Sequence, residues 1–174
     1  LVDSTLYRTA RFPTIVVGKG KHKIDGNRGN HLIINSAMNI VGDPKVAVKT
    51  NIVVMGGIIL GVQARCHLQH LTLSGAKDNG VWAHNCSFTM EDVLVEQCGK
   101  NGVFARGTGV VGRCTNVEVR KCGHSGVEAY HDASIILIGP NTSVHHNCTD
   151  CGYTECYGLQ ANGPNTTIQL VHPL

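Results

Sequence analysis

Gly80-Val81-Trp82-Ala83, Gly102-Val103-Phe104-Ala105 and Gly126-Val127-Glu128-Ala129 are three versions of one phrase. Working outward, Gly57-Ile58-Ile59-Leu60 precedes them and Gly158-Leu159-Gln160-Ala161 follows. The spacings between these glycines are 23, 22, 24 and 32 residues. A second phrase keeps step with the first: Leu71-Thr72-Leu73, Val93-Leu94-Val95 and Val117-Glu118-Val119, with a degraded copy around Val144. Three residues later comes Ala76, Cys98, Cys122 or Asn147. Both phrases alternate with period two, the mark of a strand with one buried face. Glycine at the phrase boundary is expected to permit a tight turn.

Two strands and a more variable third segment, with Leu68, Met90 and Cys114 at its inward point, make one coil of 22–24 residues. Each coil stacks on the last at about 4.8 Å. No coil can bury its apolar side alone, so the architecture is a solenoid stabilised by its neighbours. A β-sandwich fits poorly, because Asn-Gly turns do not alternate with paired strands on a hairpin schedule. Weaker copies continue upstream at Thr14–Gly18, Leu32–Ile34, Asn39–Pro44, Val46–Val48 and Ile52–Val54. Thr167–Val171 reads as the last strand, and Pro173 argues against continuation. The expected fold is an all-β, single, right-handed parallel β-helix domain over 1–174. It has roughly six to seven coils. Residues 1–13, with Leu6, Tyr7 and Phe12, are the candidate cap for its first edge.

Composition narrows the function classes. Charged residues are 16% and the net charge is only +3, with no Lys/Arg cluster, so nucleic acid is not an expected partner. No apolar run approaches the roughly 18 residues of a membrane span. Residue 1 is Leu and no signal peptide follows, which points to a processed product or a piece of a longer chain. Four sequons, at Asn85, Asn141, Asn147 and Asn165, are candidate glycosylation sites and point to a secreted or extracellular protein. Asn and Thr are also common at β-helix turns, which explains the same matches without glycosylation.

The pattern, with Ile40-Val41-Gly42-Asp43-Pro44 early and Leu68-Gln69-His70-Leu71-Thr72-Leu73 later, resembles the pectin-lyase-like parallel β-helix superfamily. It is similar in particular to the repeats of carbohydrate-binding proteins and sugar hydrolases. The resemblance covers nearly the whole chain and implies the architecture; the fold serves many roles. It also raises the alternative of a polysaccharide lyase, hydrolase or epimerase. A hydrolase needs two carboxyl groups at a set separation, and a lyase needs a base, usually with a cation. Asp92 and Glu118 fall in different columns, and Glu96 stacks against Arg120 as an ion pair. Gly123-His124-Ser125-Gly126 lacks partner Asp motifs and reads as a turn. No catalytic residues and no cofactor are expected.

The outward position of the first phrase is the candidate binding site. It runs Ile59, Trp82, Phe104, Glu128, Gln160, with His84, Arg106 and Tyr130 in the turn just beyond. Aromatic side chains on the outside of a solenoid need a reason. They form a platform for a sugar, an anchor for a protein partner, or a seam covered by the chain's own termini. The expected function is therefore a non-catalytic scaffold with a binding face for a glycan or a protein. Assembly through the solenoid ends is a further expectation.

Seven extra residues separate Asn147 from Gly158, making a Cys-rich insertion at 148–157. His145, His146, Cys148, Cys151 and Cys156 have the composition of a zinc site, but no second ligand pair follows at finger spacing. A disulfide, Cys148–Cys156 or Cys151–Cys156, explains the insertion equally. Cys98 and Cys122 share an inward ladder position whose spacing tolerates a bridge.

Overall fold

The computed structural model describes residues 12–25, 29–152 and 155–171. The described chain winds as a parallel β-solenoid. Its strands in chain order are β1 (Thr14–Val17), β2 (Gly20–Lys23) and β3 (His31–Ile34). The next coil holds β4 (Ala37–Gly42), β5 (Ile52–Met55) and β6 (Gly57–Leu60). Two coils follow in which the first two strands fuse into one bent strand. These are β7 (Arg65–Ser74) with β8 (Val81–His84), then β9 (Ser87–Glu96) with β10 (Val103–Arg106). Then come β11 (Val111–Thr115), β12 (Glu118–Arg120) and β13 (Val127–Tyr130). The last are β14 (Ser134–Ile138), β15 (Ser143–His145), β16 (Leu159–Asn162) and β17 (Thr167–Val171).

The strands stack into faces. One column runs β1-β4-β7-β9-β11-β14-β17, and the second halves of β7 and β9 belong to a second face in the order β2-β5-β7-β9-β12-β15. The third face is a six-stranded sheet in the order β3-β6-β8-β10-β13-β16. The solenoid makes about five turns, slightly fewer than expected, because the outermost strands begin or end a coil without completing one. Parallel neighbours put equivalent residues in register, so inward side chains form ladders. Leu68, Met90 and Cys114 pair in turn and are all fully buried, as their phase required. Val81, Val103 and Val127 form a second such ladder. Each full burial of a Leu or Val contributes about 1.5–3 kcal/mol.

The recurring glycine has a different cause from the one expected. Gly80, Gly102 and Gly126 have no left-handed backbone. A Cβ on Gly80 would lie 2.7 Å from the Gly102 carbonyl oxygen and 2.8 Å from Cys98 Sγ. Crowding between coils excludes a side chain there. The left-handed bend falls instead on His70, Asp92 and Asn116, with φ of 52°, 52° and 53°. These three share one column at the corner between the first and second faces.

Residues 43–51 depart from the repeat. The expected strand at Val46–Val48 is absent; the segment is a strap with a 3-10 turn at Lys49–Asn51. It lies over the outside of the second face, where Thr72 and Leu94 are each only 1% exposed despite their outward phase. Among the described residues no helix is long and apolar enough to cross a membrane. The expected cap at residues 1–13 lies mostly outside the described residues; of it, Phe12 and Pro13 each lend a carbonyl to the first coils.

Candidate functional site

The outward column of the six-stranded face stands in the register that the sequence implied. Ile59 pairs with Trp82, Trp82 with Phe104, Phe104 with Glu128 and Glu128 with Gln160. His84, Arg106 and Tyr130 form the parallel column two residues on. They end their strands and do not lie in turns, which corrects the expected placement.

Three rings make one file across three coils. Trp82 and Phe104 have centroids 6.3 Å apart and tilted by 41°; Phe104 and Tyr130 are 6.5 Å apart and tilted by 34°. Tilted pairs at this separation suit the ring quadrupoles. Tyr130 is held from its far side by His131, edge-on at 4.0 Å, and the Arg106 guanidinium carbon lies 5.5 Å from its centre. All three rings are half-buried, and His84 and Arg106 are exposed.

Glu128 is less free than its phase implied. Its carboxylate accepts a hydrogen bond from Asn101 Nδ2 at 2.8 Å. Burial raises its pKa above the ordinary carboxylate value, against the opposing pull of that amide and of His124. Asn101 is itself buried and donates its backbone N–H to Asn79 Oδ1 at 3.1 Å. This amide ladder at the turn before each phrase fixes the edge of the aromatic file. Glu128 therefore belongs to the frame of the site.

Beside Trp82 the face opens into a cavity of about 550 Å³. Ile33, Ile59 and Trp82 form its floor, and Lys77, Asp78 and Lys100 stand at its rim. Lys100 Nζ pairs with Asp78 Oδ1 at 3.0 Å. The Trp82 indole N–H is enclosed and has no acceptor. Sequence reasoning missed the rim. Its signal was present in the in-phase runs Lys77-Asp78-Asn79-Gly80 and Gly99-Lys100-Asn101-Gly102, which place charges at the same corner of successive coils.

The Cys-rich insertion resolves in favour of a staple. Cys151 and Cys156 form a disulfide with Cα atoms 6.0 Å apart, and Cys148 is a free thiol. Two of the candidate zinc thiolates are thereby consumed by each other. His145 Nδ1 faces His146 Nδ1 at 2.6 Å, and His145 Nε2 faces Glu118 Oε1 at 3.2 Å. Among the described residues no three His, Cys, Asp or Glu side chains converge on a metal position. Cys98 and Cys122 are stacked and buried as expected, yet unbridged. Each Sγ also faces a carbonyl two residues back along its own chain, Glu96 O and Arg120 O, and the two thiols hydrogen-bond to each other. Of the sequons, Asn141 and Asn165 are exposed, and so is Asn85 before a buried Cys86. Asn147 is engaged at both amide atoms, accepting from Cys122 N and donating to Val119 O.

No family model matches the chain, and no curated protein or solved structure matches it.

Proposed function

We propose that this chain is a non-catalytic solenoid of the right-handed, pectin-lyase-like kind whose six-stranded face binds a saccharide. The observation that carries this reading is the file of half-exposed rings across three coils, Trp82 and Phe104 in register and Tyr130 joining them from the adjacent column. The rings stack on the apolar faces of sugar rings, much as aromatic platforms stack on other flat partners. The cavity at the Trp82 end is large enough for a terminal sugar unit, and Lys77, Lys100 and Asp78 at its rim meet hydroxyl or acidic substituents. The Cys151–Cys156 disulfide and the exposed sequons at Asn141 and Asn165 support an oxidising, extracellular setting.

A protein partner is the second reading, favoured by Arg106 beside Tyr130 and Trp82, the residue types that anchor protein interfaces. The test is a glycan array with wild type, Trp82→Ala and Phe104→Ala. Binding is expected to weaken at least about tenfold in each variant, about 1.4 kcal/mol, with the thermal midpoint little changed. Absence of any glycan signal from folded wild type removes the saccharide reading. Unsaturated product from uronate polymers, followed by absorbance, overturns the non-catalytic reading.

A further inference from the structure

The strap at 43–51 is fastened by ionisable groups that the binding face does not use. His70 stands at the left-handed corner of β7 and directs its two ring nitrogens to two acceptors. Nδ1 faces Asp92 Oδ2 at 2.6 Å, and Nε2 faces the Val46 carbonyl oxygen, in the strap, at 2.6 Å. A neutral imidazole has one N–H and one lone pair. With a carbonyl on one side and a carboxylate on the other, it leaves one acceptor facing a lone pair. Both contacts are satisfied together only when the ring carries two protons.

The surroundings agree. Lys49 Nζ, also from the strap, lies 2.8 Å from the other oxygen of Asp92 and keeps that carboxylate ionised. Thr72 Oγ1 on β7 donates to the Lys49 carbonyl at 3.1 Å. In the corner column β4 presents Gly42, which brings no charge, and Asn116 follows Asp92 without one. The charged groups that face His70 are thus Asp92 from β9 and Lys49 from the strap.

We propose that residues 43–51 form a proton-held strap, locked over the second face by the doubly protonated ring of His70 between Asp92 and Val46, and released as the pH rises. Release uncovers Thr72 and Leu94. The hydrogen bonds to Val46 and Asp92 raise the His70 pKa above its ordinary value, and Lys49 opposes them. Asp92 lies below its ordinary value; its desolvation is outweighed by the hydrogen bonds and charges of Lys49 and His70. The lock is therefore fully closed below the ordinary histidine value of 6.5, and it is lost as the pH rises from there through the raised His70 midpoint.

Two measurements on the whole chain test this. A nitrogen-15 titration is expected to show both ring nitrogens of His70 protonated at the acidic end and a His70 midpoint above the ordinary 6.5. Hydrogen-exchange protection factors of the strap amides, notably Val46 and Asn51, are expected to be flat below 6.5, to fall by up to about tenfold per pH unit between that value and the raised midpoint, and to level off above it. Asp92→Asn should move that midpoint to lower pH. A His70 midpoint at or below 6.5, strap protection that does not change with pH, or an unmoved midpoint in Asp92→Asn each overturns the proposal. The wild-type spectra decide it even if the variant folds poorly.

Discussion

Two faces of this solenoid carry large side chains at outward positions, and they end in different states. On the second face Leu94 points away from the core yet is 1% exposed, because the strap lies over it. On the six-stranded face Trp82, Phe104 and Tyr130 point away from the core and stay half-exposed. One outward apolar position is thus explained by the chain's own packing, and the other is not. That difference, more than aromatic content, makes the six-stranded face the candidate site.

The sharpest way to break the comparison is by truncation. Leu94→Ala removes a side chain enclosed between sheet and strap and should cost about 2–4 kcal/mol in denaturant titrations. Phe104→Ala should cost about 1 kcal/mol, the scale of its ring contacts. Equal losses would make the aromatic file structural as well. Next in size is the corner between coils. Gly80→Ala drives a Cβ against the Gly102 carbonyl and Cys98 Sγ, and should destabilise by about 1–3 kcal/mol. A neutral result there would show that the coils can separate without penalty.

Each face also carries its own pH response. On the covered face the His70 contribution is complete below its ordinary value of 6.5 and is lost as the pH rises through its raised value. The Asp92 contribution is complete above 3.8 and is lost as the pH falls through its lowered value. Stability gained from the pair is greatest between those limits, and Asp92→Asn should remove about 0.5 kcal/mol there, since Asp92 is 43% exposed. On the bare face Glu128 runs with His70 and against Asp92. Its raised pKa favours the fold below the ordinary value of 4.5, and ionisation costs stability above it. Glu128→Gln should therefore flatten the pH dependence of the thermal midpoint above that value; a steeper dependence would contradict the burial argument. The smallest effect belongs to the insertion. The Cys151–Cys156 bridge closes only a short loop, so on its reduction exchange should quicken around residues 148–157 and leave β8 and β10 unchanged.

Much of this was legible because the repeat writes spatial neighbours into sequence at a fixed interval. Trp82, Phe104 and Glu128 could be stacked from their phase alone, and so could Leu68, Met90 and Cys114. The strap was not legible, because 43–51 is out of phase and its partners are contributed by later coils. A faint signal did exist: His70 and Asp92 are one coil length apart at the same step after their strands. What periodicity could not show is which way an outward side chain turns. Glu128 bends to Asn101, and Cys98 and Cys122 stay unbridged.

The thiols of the inward ladders give this molecule a built-in clock. Cys66, then Cys98, then Cys114 together with Cys122 sit at three successive heights in the bore. Burial pushes Cys66 and Cys114 up to about 12, so at mildly alkaline pH neither reacts while its coil is closed. An alkylating reagent therefore marks each thiol only when its own stretch of the bore has opened. The order in which the marks appear records whether the solenoid unzips from one end, from both, or all at once.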